Sequence, residues 1–137
     1  EGPEDYMAVG EQVRINSVSR KYLDEIREFL SERQVPLLIT AAPNAKNWTY
    51  SKSDSLKEYA DKYGLDFLDL NLHLEDMGID WRSDTMDAGN HMSFSGSKKT
   101  TLFLEEYLRD NYELPDHRGE AEYEGWIKDN EEYGLYP

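Results

Sequence analysis

Apolar residues recur at steps of three and four through Val18, Tyr22, Leu23, Ile26, Phe29 and Leu30, the period of one face of an α-helix. Asn16, just ahead of them, has the side chain of an N-cap, so a helix is predicted to begin there. The pattern then changes. Val35-Pro-Leu-Leu-Ile-Thr-Ala-Ala42 is a short continuous apolar run flanked by Pro36 and Pro43, and it predicts a strand buried on both faces. Asn44 to Tyr50 reads as a loop. Leu56, Tyr59, Ala60 and Tyr63 then return to the helical period, with Ser55 and Glu58 spaced as a capping box and Gly64 as the stop. Leu65-Asp-Phe-Leu-Asp-Leu70 is the second strand candidate.

Two buried runs joined by a helix imply a parallel pair with a right-handed crossover. Their C-terminal ends open on one edge, which in open α/β sheets hosts the site, so Asn44, Asp69, Asn71 and the loop carrying His91 are expected close together. A third helix is predicted after Gly96 through Leu102, Leu104, Tyr107 and Leu108, capped by Ser95 or Ser97. Tyr123, Trp126 and Ile127 have helical spacing in the tail, which frays through Tyr133 and Tyr136. Residues 1–15, where only Val13 and Ile15 alternate among acids and Gly2, Pro3 and Gly10, read as a flexible arm. Residues 16–137 read as a single α/β domain with a short parallel sheet flanked by helices.

Composition narrows the chemistry. With 137 residues and ten Tyr, four Phe and three Trp, the chain has the size and packing groups for a core without a metal or disulfide staple. The formal charge of −14 repels phosphate backbones and anionic headgroups, which argues against nucleic-acid and membrane-surface partners. No stretch of 18 apolar residues is present to insert into a bilayer, and zero Cys excludes thiol catalysis and thiolate metal sites. The chain starts without Met, and an upstream segment is expected to have been cut away.

The candidate chemistry lies in Asp84-Thr-Met-Asp87-Ala-Gly-Asn-His91-Met-Ser-Phe-Ser-Gly96, an acid and a histidine on a loop before a helix. Such a pair is the proton-handling half of a nucleophile, base and acid triad; the bland alternative is a histidine that caps the helix or pairs with a surface acid. Asp80, Asp84, Asp87 and Asn90 could also wrap a hard cation, although their spacing departs from that of an EF-hand. Three His without paired i, i+4 spacing argue against zinc, so no metal or other cofactor is expected. Asn44 and Asn47, with Trp48, offer amide hydrogen bonds and an aromatic platform for a sugar-like substrate, or else turn bonds and a cover for the sheet edge. The serines near helix starts suit capping, and none lies in a Gly-x-Ser-x-Gly elbow.

The order of elements and the His91 loop resemble the C-terminal part of the SGNH/GDSL hydrolases, in which a late strand leads to an Asp-x-x-His loop and a last helix. Asp87, His91 and Gly96 match the acid, the base and the small residue opening that helix, with one extra residue between acid and base. The resemblance implies a flavodoxin-like three-layer sandwich, here partial, and serine esterase or acyl-hydrolase chemistry on an ester or carbohydrate-type small molecule. His91 would be the base and Asp87 its orienter, with Asp84 the other candidate acid. The family's Gly-Asp-Ser and Gly-x-Asn-Asp segments are absent, so the nucleophile is not identifiable and the chain is expected to be catalytically incomplete, its front half removed or supplied elsewhere. The competing expectation is a non-enzymatic binding or scaffold domain derived from that fold. The phrase His91-Met-Ser-Phe-Ser-Gly96 and the tail Tyr112-Glu-Leu-Pro-Asp-His-Arg118 resemble bacterial members of that family, a resemblance that implies an extracytoplasmic or cell-envelope location, while composition leaves the compartment open. A thin sheet with bare edges predicts a homo-oligomer.

Overall fold

The computed structural model describes residues 5–8 and 10–133. Helix α1, Ser17–Ser31, starts where Asn16 accepts the Ser19 N–H, the cap expected from sequence. Strand β1, Leu38–Ala41, and strand β2, Asp66–Asp69, run parallel in the register Leu38↔Asp66 to Ala41↔Asp69. Helix α2, Tyr50–Tyr63, connects them and stops at Gly64, whose φ of 64° is the left-handed C-cap that glycine adopts without strain. A 3-10 turn, Leu70–Leu72, continues from β2. The hairpin of β3, Thr85–Met86, and β4, His91–Met92, is antiparallel and leads into helix α3, Phe94–Asn111. A 3-10 turn, Ala121–Tyr123, precedes helix α4, Glu124–Tyr133. The chain is thus mixed α/β, with a two-stranded parallel sheet and a small antiparallel one.

The core forms where Leu68, Leu70 and Met77 are buried against Leu38, Leu74, Ile79, Phe103, Leu104 and Tyr107, which brings one face of α3 to the end of β2. On the other flank, α1 meets α2 through polar aromatics: the Tyr59 hydroxyl donates to Asp24 at 2.8 Å, and the Arg27 guanidinium lies 4.1 Å from the Tyr63 ring centre. Val18, Tyr22, Ile26 and Phe29 form the opposite stripe of α1 and remain 63%, 58%, 49% and 55% exposed, so this helix is apolar well beyond the face it buries.

Several elements differ from the sequence expectation. β1 is shorter than 35–42 and is not covered on both faces, since Ile39 and Ala41 are buried while Thr40 between them is exposed. That alternation belongs to a strand with one covered face. Helix α2 begins six residues before Leu56, with Thr49 as the cap accepting from Lys52 N–H; Ser55 lies inside it and accepts the Ile15 N–H at 2.9 Å instead. α3 is capped by Ser93, not Ser95 or Ser97. The hairpin was not anticipated at all. Within the segment read as an arm, Met7 is buried, the Tyr6 hydroxyl donates to Asn71 Oδ1 at 2.8 Å, and the Val13 N–H donates to Ser51 Oγ at 2.6 Å. Gly2, Pro3 and Tyr136 lie outside the described residues. Trp126, one of the residues at helical spacing in the tail, is 76% exposed.

Candidate functional site

The ends of the parallel strands carry a buried polar hub. Asp69, the last residue of β2, is 4% exposed and accepts from Trp48 Nε1 at 2.8 Å, from Ser53 Oγ at 2.5 Å and from the Asn71 backbone and side-chain N–H groups at 3.0 and 2.8 Å. A buried carboxylate is tolerated only with such a full set of donors. Asn71, also 4% exposed, donates to the Ala42 carbonyl at 3.0 Å, and its Oδ1 accepts the Asn44 N–H at 2.8 Å beside the Tyr6 hydroxyl. Burial, then the nearby Asp69 charge, raises the Tyr6 phenol above its ordinary range.

From this hub the loop after β1 reaches the hairpin. Asn44 Nδ2 donates to the Asn90 carbonyl at 3.0 Å, Asn47 Nδ2 to Asn90 Oδ1 at 2.7 Å, and the Ala45 N–H to the Gly89 carbonyl at 2.8 Å. Asn44, Asp69, Asn71 and the His91 loop are therefore neighbours, as the parallel strand order required. Asn44 and Trp48, read either as substrate-binding groups or as makers of turn bonds and a cover for the sheet edge, make bonds within the protein: Asn44 Oδ1 accepts the Lys46 and Asn47 N–H groups, and the indole N–H of half-buried Trp48 is held by Asp69.

At the hairpin tip, His91 Nδ1 lies 2.6 Å from Asp87 Oδ2, and the His91 backbone N–H donates to Asp87 Oδ1 at 3.0 Å. One carboxylate thus grips both ring and backbone of the histidine, which selects the tautomer with the proton on Nδ1. The His91 ring, which outweighs the opposing effect of desolvation, holds the Asp87 carboxyl below the ordinary carboxylate range, and the His91 backbone N–H adds to it. The contact is made on left-handed backbone, with φ of 45° at Asp87, 56° at Ala88 and 88° at Gly89. Two non-glycine residues in that region store strain, a condition that persists only where surroundings enforce it.

Asp84 has a different task. It is 1% exposed and accepts from Lys99 Nζ at 2.6 Å, Ser95 Oγ at 2.7 Å and the Asp80 N–H at 2.8 Å. Burial alone would raise its carboxyl, but Lys99, the Asp80 N–H and Ser95 together prevail and hold it at about 2. Of the two candidate acids, Asp87 is the one bonded to His91. Lys99 and Asn90 were not expected in these roles; an Asn just before the His in a Gly-containing turn was the available signal for the latter.

Among the described residues, His91 Nε2 makes no hydrogen bond, and no group of three or more His, Asp or Glu is placed to hold a metal ion. Nearby hydroxyls donate elsewhere: Ser93 Oγ to the Ser83 carbonyl at 2.9 Å and Thr85 Oγ1 to the Trp81 carbonyl at 2.6 Å. His73 and His117 pair with Asp76 and Glu120 at 2.9 and 3.1 Å. Two clefts of about 370 and 420 Å³, one between α2 and residues 7–8 and 10–14 and the other at the start of β2, include neither Asp87 nor His91. No helix among the described residues is long and apolar enough to cross a membrane. No protein-family model matches the chain, nor does any of the curated proteins or solved structures compared with it.

Proposed function

We propose that this chain is the C-terminal part of an SGNH/GDSL-type serine esterase or acyl hydrolase, a partial flavodoxin-like sandwich that contributes the base and its orienter. The observation that carries the reading is the 2.6 Å contact between Asp87 Oδ2 and His91 Nδ1 beside the C-terminal ends of two parallel strands. With its proton fixed on Nδ1, the imidazole has an Nε2 lone pair able to take a proton from a serine hydroxyl. Asp87 then stabilises the imidazolium that forms. No hydroxyl in hydrogen-bond contact with His91 occurs among the described residues, and the reading assigns the nucleophile and the oxyanion-hole donors to a segment outside this chain. The substrate class is an ester, and an acyl group on a carbohydrate falls within it. Self-association through the unpaired sheet edges belongs to the same proposal.

The test is hydrolysis of an aryl acetate by the chain alone and joined to its natural upstream sequence, beside His91→Ala, with fluorophosphonate labelling in parallel. Turnover and labelling that need the upstream sequence, with turnover lost in His91→Ala, support the reading. Neither activity in the joined protein points to a non-enzymatic binding or scaffold domain.

A further inference from the structure

The hairpin that carries Asp87 and His91 has strands of only two residues each and a tip with three successive positive φ values. A ladder this short does not hold such a tip by itself. External bonds to the two residues before His91 come from one loop: Ala45 to the Gly89 carbonyl at 2.8 Å, Asn44 to the Asn90 carbonyl at 3.0 Å, and Asn47 to Asn90 Oδ1 at 2.7 Å. The loop and the tip are also in close contact, since a Cβ on Gly89 would come within 2.8 Å of the Ala45 methyl.

Asn44 joins all of this to the sheet. Its backbone N–H is held by buried Asn71 at 2.8 Å, its Oδ1 folds the loop by accepting the Lys46 and Asn47 N–H groups at 3.0 and 2.8 Å, and its Nδ2 reaches the hairpin. Asn47 orients the neighbouring amide: with Asn90 Oδ1 held by Asn47, Asn90 Nδ2 is the atom left 3.3 Å from His91 Nδ1. A donor beside Nδ1 does not favour a proton there, so the Asp87 carboxylate at 2.6 Å sets the tautomer, and the Asn90 amide contributes by hydrogen-bonding that carboxylate and helping to hold it charged.

We infer that Asn44 is a positioning residue that holds the Asp87–His91 pair in its bonded geometry through the Asn90 carbonyl, with Asn47 as its helper. The catalytic use of that geometry rests on the proposed hydrolase reading; the positioning itself does not. The side chain acts without touching substrate, by fixing the tip on which acid and base meet.

Asn44→Asp keeps the oxygen that folds the loop and replaces the Nδ2 donor by a charged oxygen, and Asn44→Ser removes the donor without adding charge. The measurement is the nitrogen NMR spectrum of the three imidazoles in the full chain, at a pH where all are neutral. His73, bonded to Asp76 at 2.9 Å on its own segment, is the internal control. In the unaltered chain His91 carries its proton on Nδ1; in Asn44→Asp the ratio of Nδ1–H to Nε2–H falls by about tenfold, equivalent to about 1.4 kcal/mol, while His73 is unchanged. Asn44→Ser is expected to lower the ratio in the same direction, so that the lost bond and not the new charge is the cause. An unchanged His91 overturns the inference, as does an equal change at His73, which would make Asn44 merely structural. A His91 ratio that depends on Asn44, in a joined protein with no esterase activity, keeps the positioning role and removes the hydrolase reading.

Discussion

The Lys99 ammonium sits 2.6 Å from Asp84 Oδ2, and with that contact the first turns of α3 are fastened to the residue that precedes the hairpin. Lys99 also donates to the Gly78 carbonyl at 2.7 Å, while Ser95, one turn earlier on the helix, bonds the second Asp84 oxygen. Removing one partner from such a pair leaves a buried charge without compensation. Lys99→Met is expected to cost about 3 kcal/mol, the low end for buried pairs because the lysine is partly exposed, and urea unfolding reads this directly. The double change with Asp84→Asn should recover much of the loss.

The same carboxylate sets an acid limit. Asp84 is held at about 2 in the folded chain against an ordinary 3.8, so between these values the unfolded chain binds more protons and stability rises with pH. The contribution is complete above about pH 5 and is lost as the pH falls through the folded value. Urea midpoints followed from about pH 5 down to about pH 2 should drop steeply in the native chain and less in Asp84→Asn.

Gly96 marks how closely α3 approaches this region. A Cβ there would lie 2.1 Å from the Asp84 carbonyl oxygen and 2.7 Å from Met92 Cε, and the first of these is backbone that cannot swing aside. Gly96→Ala is expected to destabilise by about 3 kcal/mol. At Gly64 a Cβ meets nothing within 4 Å and only the φ of 64° resists, so Gly64→Ala should cost about 1 kcal/mol. Thermal melts of the two variants separate collision from backbone strain.

In a form of the protein that hydrolyses esters, Asp87→Asn is expected to lower turnover by about 10⁴ while leaving the fold intact, because the amide would favour the wrong imidazole tautomer. Steady-state rates beside far-ultraviolet circular dichroism check both halves.

The exposed stripe of α1 is expected to contribute to self-association. Ile26→Glu, at a residue 49% exposed, should shift sedimentation toward a lighter species without lowering folded-state stability by more than about 0.5 kcal/mol.

Sequence pattern was a good guide where the determinants are local. Asn16 caps its own helix and Gly64 ends its own helix, so neither needs distant partners. The parallel pairing also followed, since two short apolar runs joined by a helix have few other ways to lie together, and from that pairing came the gathering of Asn44, Asp69, Asn71 and the His91 loop. Where the reading failed, a tertiary bond had chosen between equivalent local signals. Ser55 has the spacing of a cap, but its hydroxyl is taken by Ile15, 40 residues away in sequence. Ser93, Ser95 and Ser97 are interchangeable as caps on paper; Ser95 is drawn to Asp84, leaving Ser93 at the helix start. The β3–β4 hairpin escaped notice because two-residue strands leave no alternation to detect.

The bond from Asn44 to Asn90 spans 46 residues, and the one from Tyr6 to Asn71 spans 65, although Asp87 and His91 are only four apart. A contact between near neighbours in sequence is therefore completed by distant closures, and those come slowly because each must first overcome the entropy of a long loop. During folding the Asp87–His91 geometry should mature late, after the strands have paired, rather than early as its short span suggests. The site is then an indicator of the finished fold: a partly assembled chain contains both residues yet lacks their arrangement.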